Sequence, residues 1–287
     1  MTDITIANGS TKLAASVYGA QNAAPILFLH GISLSRDSWD EVAQRLSSRY
    51  CVWALDFRGH GHSDYAATYA LADYVSDAMT ALRAIGRPAV VVGHSLGGVV
   101  AGTIAQSADS NVRAALLEDP PWFLGERAEF DGSPFPQLFA ALRGRQTALR
   151  EAKAPLVAYL EFVAGAPSAA GGFARDHVPP RQLLSQASAL QRQDLRAWDG
   201  MVDPGHGATL AAVAAERPLL RPALIVQADP ACGAALLDGH EARLKAANPK
   251  ARFARYAGSG HAPHRLLAFA DRFYDDVETF AATAFAT

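Results

Sequence analysis

The stretch AVVVGHSLGG at residues 89–98 decides the fold class of this chain. Four apolar residues end at Gly93, and Ser95 stands between two glycines, Gly93 and Gly97, with a helical pattern beginning at Leu96. Glycines at these places leave room for a sharp turn from a strand into a helix that few side chains tolerate. Such a turn lifts the Ser95 hydroxyl above the C-terminal edge of a sheet, beside the free N–H groups of a helix start. We therefore predict a strand–turn–helix unit with a serine at its bend.

Apolar runs of the same kind lie on both sides of this unit. They are continuous rather than alternating, which is typical of strands covered on both faces, as in parallel sheets. The runs are residues 26–29, 51–55, 89–92, 114–117 and 223–227, with a last candidate at 251–256. Helical patterns separate them at residues 39–46, 72–85 and 96–108, and an apolar helical stripe from Leu266 to Phe280 closes the chain. This order predicts an α/β fold with a doubly wound, mostly parallel sheet.

Between residues 120 and 218 the strand pattern is absent and helical patterns such as Gln182 to Trp198 dominate. We predict a core at residues 1–119 and 219–287 and a helical cap at 120–218, inserted after the sixth of the core strands. Most aromatic side chains of the cap are expected to pack within it. Trp122 and Phe123 follow strand six directly, and we expect them to reach the site and bind substrate.

Composition excludes several classes of function. The net charge of −2 offers no basic excess for nucleic acid. No run approaches the roughly 18 apolar residues that a membrane helix needs, and the N-terminus lacks a secretory pattern. Cys51 and Cys232 have no metal-binding spacing, which disfavours structural zinc and disulfides. We expect a cytoplasmic protein, whose oligomeric state the sequence leaves open.

Three further segments accompany the Ser95 turn. His30-Gly31 ends an early strand, residues 56–64 (DFRGHGHSD) end the next, and residues 258–261 (GSGH) follow the last strand. Together they resemble the α/β-hydrolase superfamily, in the capped branch of esterases, lactonases, epoxide hydrolases and C–C hydrolases. The resemblance covers essentially the whole chain, including the order nucleophile, acid, histidine. It implies a catalytic triad that works without a cofactor or a metal.

The resemblance implies that Ser95 is the nucleophile and that the backbone N–H groups of Ile32 and Leu96 form an oxyanion hole. His261 is the expected base, because the loop after the last strand places it over the sheet edge. His264, three residues further on, is its near competitor. Four other histidines lie in loop motifs where the superfamily uses them structurally, namely His30, His60, His62 and His94. The remaining three are expected at the surface: His177, His206 and His240.

The pattern leaves open which carboxylate orients His261. The superfamily usually carries the acid after strand seven, where Asp229 is the nearest acid although Ala231 occupies the usual position. Some capped members carry it after strand six, where Glu118 and Asp119 stand. Asp229 is favoured because it keeps the usual chain order, with Glu118 or Asp119 as the alternative acid. A carboxylate that is not the acid is expected to cap a turn or a helix.

Capped epoxide hydrolases and dehalogenases carry an aspartate at the bend, whereas a serine implies an acyl-enzyme formed at a carbonyl. We therefore expect cleavage of a carboxylic ester or lactone with a neutral, apolar or aromatic acyl group. A small-molecule substrate is the partner foreseen. C–C bond or amide hydrolysis by the same residues stays open, as do a ligand-sensing protein without turnover and a cofactor-independent oxygenase or lyase.

Overall fold

The computed structural model describes residues 1–108, 111–202 and 209–286, which form an eight-stranded sheet with helices on both faces. The strands are β1 (Thr2–Asn8), β2 (Thr11–Tyr18), β3 (Ala24–Leu29), β4 (Tyr50–Leu55), β5 (Ala89–His94), β6 (Val112–Glu118), β7 (Ala223–Gln227) and β8 (Arg252–Arg255). Their spatial order is β1-β2-β4-β3-β5-β6-β7-β8. β2 pairs antiparallel with β1 and with β4, and the other neighbours pair in parallel. The predicted α/β fold with a mostly parallel sheet is confirmed.

The helices follow the predicted alternation with the core strands. They are α1 (Asp40–Leu46), α2 (Leu71–Ile85), α3 (Leu96–Ala105), α4 (Arg127–Asp131), α5 (Phe135–Glu151), α6 (Leu156–Ala164), α7 (Ala174–His177), α8 (Pro180–Arg192), α9 (Asp199–Val202), α10 (His240–Ala247) and α11 (Ala270–Ala286). Short 3-10 helices lie at Arg36–Trp39, Leu195–Trp198, Leu210–Ala212, Pro230–Cys232 and Pro263–Arg265. The helix predicted over residues 182–198 is two elements, because the extended backbone of Gln193 ends α8. None of the helices described here is both long and apolar enough to cross a membrane.

The central strands bury both of their faces, which explains their uninterrupted apolar sequence. On β5, Val91 belongs to the core that includes residues of α2 and α3, whereas Val90 and Val92 belong to the core on the opposite face, with residues of α1 and α11. All three valines are fully buried. Complete burial of such a side chain contributes about 1.5–3 kcal/mol relative to leaving it in water. The two cores therefore hold β5 firmly and fix the place where it ends.

The sequence patterns above miss the N-terminal hairpin. β1 and β2 pair from Thr2↔Val17 to Asn8↔Thr11, and Gly9 in the turn has a φ of +60°. β1 lies at the sheet edge and is largely exposed, so it carries polar residues rather than an apolar run. The two loop residues are Gly9 and Ser10, and a Gly-Ser pair between two strands is a hairpin signal that was available in the sequence.

The described part of the segment between β6 and β7 consists of helices joined by loops, with an isolated bridge between Pro167 and Phe173. Within it, α8 packs onto the core: Gln182 Nε2 donates to Ser38 O at 3.0 Å, and Arg265 donates to Gln182 O at 3.0 Å. This order agrees with a helical insertion after strand six. The limits of 120–218 for a cap stay a prediction, and residues 203–208 lie outside the described residues.

Candidate active site

Ser95 stands at a strained bend between β5 and α3. Its φ of +53° and ψ of −117° lie where non-glycine residues are rarely found. A Cβ on Gly93 would lie 2.0 Å from Gly97 O, and one on Gly97 would lie 2.2 Å from Leu29 O. Both positions therefore require glycine. The Ser95 N–H donates to Glu118 O at 2.9 Å, which ties the bend to the end of β6.

The loop after β3 passes directly beside this bend. A Cβ on Gly31 would lie 3.2 Å from Ser95 Cβ and 2.7 Å from His94 Nδ1. Ile32 follows in the same loop, and Leu96 begins α3, where the first N–H groups have no partner within the helix. The residues predicted to supply the two oxyanion donors, Ile32 and Leu96, thus lie in the two backbone segments that adjoin Ser95.

His261 is paired with Asp119. The ring Nδ1 lies 2.6 Å from Asp119 Oδ2, and the His261 side chain is 29% exposed while Asp119 is fully buried. With Nδ1 donating to the carboxylate, Nε2 is left as the free accepting nitrogen. His94 connects this pair to the bend, because its ring lies 4.7 Å from that of His261 and its Nε2 lies 3.1 Å from His261 O. His261 therefore lies at the same sheet edge as Ser95 and beside His94, the residue that precedes Ser95.

The buried Asp119 carboxylate accepts hydrogen bonds from four groups. Besides the His261 ring, the donors are three backbone N–H groups, of Ala235 at 2.7 Å and of Ala228 and Leu236 at 3.2 Å each. Every partner is a donor, which suits the acceptor-only character of a carboxylate. Asp119 itself has a φ of +43°. The structure thus holds this side chain in one orientation, towards His261.

The structure does not bring Asp229 to His261, and this corrects the favoured choice of acid. The Asp229 carboxylate accepts from the N–H groups of Gly258 at 2.7 Å and Ala231 at 3.0 Å, and these bonds hold its pKa below the ordinary value. It caps the short helix Pro230–Cys232, as expected for a carboxylate outside the site. The reason is local: backbone N–H groups of the turns beside it hold the Asp229 carboxylate, whereas other backbone N–H groups hold Asp119 towards His261. The alternative acid, Asp119, occupies the place that Asp229 was expected to fill.

Glu118, the other alternative, pairs with the near competitor of His261. His264 Nδ1 lies 2.7 Å from Glu118 Oε2, and the His264 N–H donates to Glu118 Oε1 at 2.9 Å. Both side chains are fully buried, and the His264 ring stacks on Trp39 at 4.0 Å between centroids. Burial raises the pKa of Glu118 well above its ordinary value and lowers the pKa of His264 well below its own, and both shifts favour the uncharged forms. It fastens the loop that carries His261 to the end of β6.

The two aromatic residues expected to bind substrate, Trp122 and Phe123, are buried in packing contacts. Trp122 lies against Gly102 of α3, and its indole N–H donates to Ala215 O at 3.1 Å. Phe123 is buried beneath Arg243, whose guanidinium lies 3.8 Å from the ring centroid. These contacts give both residues a packing role at the junction of core and insertion. Instead, Phe135 of α5 faces the His261 ring edge-on at 6.2 Å.

The sequence did not single out Phe135, because helical aromatics that pack and helical aromatics that face a site have the same spacing.

Some of the other histidines lie in the surroundings that the sequence predicted, and others do not. His30 and His60 are buried in loop hydrogen bonds, as expected of structural residues. His240, expected at the surface, is buried and lies 3.1 Å from Glu129. His206 lies outside the described residues.

A resident metal is not suggested by the side chains in the described ranges. They contain no group of three or more His, Cys, Asp or Glu side chains with the geometry to hold a metal ion. The histidines at the candidate site are each accounted for by a carboxylate or a backbone carbonyl.

Comparison with known proteins agrees with the fold. Residues 26–275 match the model of the alpha/beta hydrolase family, and the chain therefore belongs to this family. A non-heme chloroperoxidase of Streptomyces lividans is 35% identical over 151 residues, covering 50% of this chain and 54% of that protein. The pimeloyl-[acyl-carrier protein] methyl ester esterase of Chromobacterium violaceum is 31% identical over 186 residues, covering 62% of this chain and 70% of that enzyme.

Solved structures show the same architecture. An esterase from Rhodococcus sp. ECU1013 superimposes with a TM-score of 0.73 at 23% identity, covering 99% of this chain and all of that one. At this identity the likeness concerns the fold alone. The chain spans about half the length of several curated relatives that it matches. Activity and substrate are therefore proposed from the site.

Proposed function

We propose that this chain is a cofactor-free serine hydrolase that cleaves a carboxylic ester or lactone through an acyl-enzyme. Ser95 is the nucleophile, His261 the general base and acid, and Asp119 the residue that orients the imidazole. The N–H groups of Ile32 and Leu96 stabilise the oxyanion. The observation that carries the proposal is the 2.6 Å pair of His261 and Asp119, at the sheet edge where the Ser95 bend stands.

The proposed reaction has two steps. In the first, Ser95 Oγ attacks the carbonyl carbon while His261 Nε2 accepts the hydroxyl proton, and the negative charge develops on the carbonyl oxygen. Collapse of the tetrahedral intermediate expels the alcohol, which takes the proton from His261. In the second step His261 activates a water molecule that attacks the acyl-enzyme, and Ser95 regains its proton as the acid leaves. Asp119 stays ionised and stabilises the imidazolium in both steps.

The hydrogen-bond pattern supports this assignment of roles. Asp119 engages Nδ1 of His261, which selects the tautomer whose Nε2 accepts a proton. The helix start at Leu96 supplies N–H groups and a partial positive charge where the oxyanion would develop. Strained backbone like that of Ser95 is common at active sites, where the surrounding structure holds it in place.

The decisive test is Ser95→Ala in an assay with p-nitrophenyl acetate, p-nitrophenyl butyrate and a simple lactone. We expect kcat to fall by roughly 10³- to 10⁶-fold, because removal of the nucleophile leaves only binding and the oxyanion donors. A fluorophosphonate should label the unchanged protein at Ser95 and leave the variant unlabelled. Full activity in Ser95→Ala would overturn the proposal.

The acyl group that we propose is neutral and apolar or aromatic. Phe135, which faces His261, supports this choice, as do its ring contacts with Phe139 at 5.4 Å. Amide and C–C bond hydrolysis use the same residues, so the panel should also include an aryl amide and a vinylogous 1,5-diketone. Hydrolysis of the diketone with slower cleavage of every ester would redirect the proposal to C–C bond hydrolysis.

A further inference from the structure

A chain of buried amides runs from the helical insertion to the oxyanion loop. Gln193, which ends α8, and Gln146 of α5 are both buried, with 1% and no exposure. Gln193 Nε2 donates to Ile32 O at 2.7 Å, and Gln146 Nε2 donates to Gln193 Oε1 at 3.2 Å. The chain begins at Trp198, whose indole N–H donates to Gln146 Oε1 at 2.6 Å. These residues are far apart from Ile32 in sequence and come together only through the docking of the insertion.

The types of the end groups fix the orientation of both amides. The Trp198 indole can only donate, so the Gln146 oxygen must face it. The Gln146 amide nitrogen then faces two acceptors, Leu190 O at 2.6 Å and Gln193 Oε1. Gln193 must therefore present its own nitrogen to the Ile32 carbonyl. Because each polar atom of this buried chain has a partner, a change at one link disturbs the next.

A histidine of the core lies beside the same carbonyl and beside Gln193. His60 Nε2 lies 3.0 Å from Ile32 O and 3.1 Å from Gln193 Nε2. The residue after Gln193 is anchored to the core as well: the Asp194 N–H donates to Gly59 O at 2.8 Å. Gln193 thus reaches Ile32 from a segment that is itself fixed to the core.

The Ile32 carbonyl bears directly on the oxyanion hole. A hydrogen bond to this oxygen restrains the Ile32–Ser33 peptide. Through the shared Cα of Ile32 it also limits movement of the preceding peptide, whose N–H is the proposed oxyanion donor. The same loop is closed by the Leu34 N–H, which donates to Gly31 O at 3.1 Å. Oxyanion donors act because they are held in place before charge develops, so small displacements weaken them strongly.

We propose that Gln193, oriented by Gln146 and Trp198, positions the Ile32 peptide, so that docking of the insertion completes the oxyanion hole. This inference rests on the proposed function. It makes Gln193 a positioning residue, and it gives the insertion a part in transition-state stabilisation besides any contact with substrate. Withdrawal of the insertion from the core would loosen the hole even with Ser95, His261 and Asp119 in place.

The test compares Gln193→Met with a matched control, Gln106→Met. Gln106 is likewise buried, and its Nε2 donates to two carbonyls of the segment before β7, Ala214 O at 2.9 Å and Arg217 O at 2.7 Å. Each variant removes a buried glutamine. Gln106 joins the core to the segment before β7, and Gln193 joins the insertion to the core, but of the two only Gln193 contacts Ile32. Gln146→Met serves as a third variant, which removes the orienting link together with the bonds to Trp198 and Leu190 but keeps Gln193 itself.

Three quantities are measured for each variant: kcat and KM for p-nitrophenyl acetate, and the inhibition constant of an aryl trifluoromethyl ketone. The ketone forms a tetrahedral adduct whose oxygen occupies the oxyanion hole. For Gln193→Met we expect kcat and ketone affinity to fall together, by about 10- to 100-fold, with KM nearly unchanged. Gln146→Met should change both in the same direction by less. Gln106→Met should lower the Tm and leave both unchanged.

Wild-type kcat and ketone affinity in a folded Gln193→Met would overturn the inference, as would an equal loss in Gln106→Met. If Gln193→Met does not fold, Gln146→Met decides: unchanged kcat and ketone affinity in that variant would overturn the inference. Ser95→Ala in the same assay separates the two proposals. If Ser95→Ala retains activity, the proposed function itself fails, whereas an inactive Ser95→Ala beside an unaffected Gln193→Met removes only the role of Gln193.

Discussion

Two neighbouring carboxylates at the end of β6 each pair with a histidine of one loop, and the two pairs differ in their surroundings. Asp119 lies 2.6 Å from His261, whose side chain is 29% exposed, and Glu118 lies 2.7 Å from His264, which is fully buried. Asp119 also accepts from three backbone N–H groups, whereas Glu118 accepts from one. A carboxylate with many donors suits a charged state, and a sealed pair suits a neutral one. The same pair of residue types can therefore serve proton transfer at one place and loop anchoring at the other.

The sharpest way to break this comparison is Asp119→Asn. The amide keeps the shape of the side chain but reverses the hydrogen bond to His261, which favours the wrong tautomer. We expect kcat for p-nitrophenyl acetate to fall by about 10⁴-fold, by analogy with other triad enzymes. Glu118→Gln in the same assay should stay close to wild type. Equal losses in the two variants would mean that the pairs do not have separate roles.

A second prediction concerns the anchoring pair. Glu118→Leu removes the acceptor of the buried His264 N–H and leaves the His264 ring without its partner. An unsatisfied buried polar group costs about 1–3 kcal/mol, so the free energy of unfolding should fall by that amount. The measurement is urea-induced unfolding, with Glu118→Gln as the control that can still accept from the N–H and donate to the ring. Equal free energies of unfolding for Glu118→Leu and Glu118→Gln would contradict the anchoring role of the Glu118–His264 pair.

The pH dependence of stability sharpens the comparison further. Burial raises the pKa of Glu118 in the folded state above its ordinary value of 4.5. The folded state then binds more protons at this site than the unfolded chain does, so the Glu118 contribution is fully present below pH 4.5 and declines as the pH rises towards the folded pKa. Glu118→Gln has no such group. We therefore expect it to gain stability relative to the wild type as the pH rises from 4.5 towards the folded-state pKa of Glu118.

The difference in Tm between the wild type and Glu118→Gln, measured across this range, tests that expectation. His264 is present in both proteins, so its own titration affects them alike to a first approximation. A difference that does not vary with pH would contradict the neutral state of the Glu118–His264 pair. Glu118 would then be charged in the folded protein, as we propose for Asp119.

The smallest effect is expected for Asp229→Asn. Its carboxylate bonds only to the N–H groups of Gly258 and Ala231, and an amide oxygen can keep one or both of these bonds. Activity on p-nitrophenyl acetate should be nearly unchanged, and the Tm should fall only slightly. A loss of activity as large as that of Asp119→Asn would return the acid to the end of β7.

Much of the molecule was readable from local sequence. The continuous apolar runs predicted β3 to β7 because both faces of these strands are buried, and the glycines around Ser95 predicted the bend because a Cβ at Gly93 or Gly97 would collide with backbone. The edge strand β1 was not predicted, since exposure leaves it without an apolar run, and β2 beside it was missed as well.

The choice of acid was not readable in the same way. Glu118, Asp119 and Asp229 all stand where strands end at one edge of the sheet, so their positions in the sequence do not tell them apart. The tertiary contacts do: backbone N–H groups turn Asp119 towards His261, His264 pairs with Glu118, and the Gly258 N–H holds Asp229. Trp122 shows the same limit, because its packing partner Gly102 is brought to it by the fold.

The sequence by itself determined the α/β class, the serine at a glycine-flanked bend and the histidine of the last loop, because these depend on steric and apolar patterns between near neighbours. The tertiary structure alone decided which carboxylate meets His261, and that Gln193 meets Ile32. Such contacts join residues that are distant along the chain. Their formation depends on the order of strands and on the docking of helices, which are settled by the packing of the whole protein.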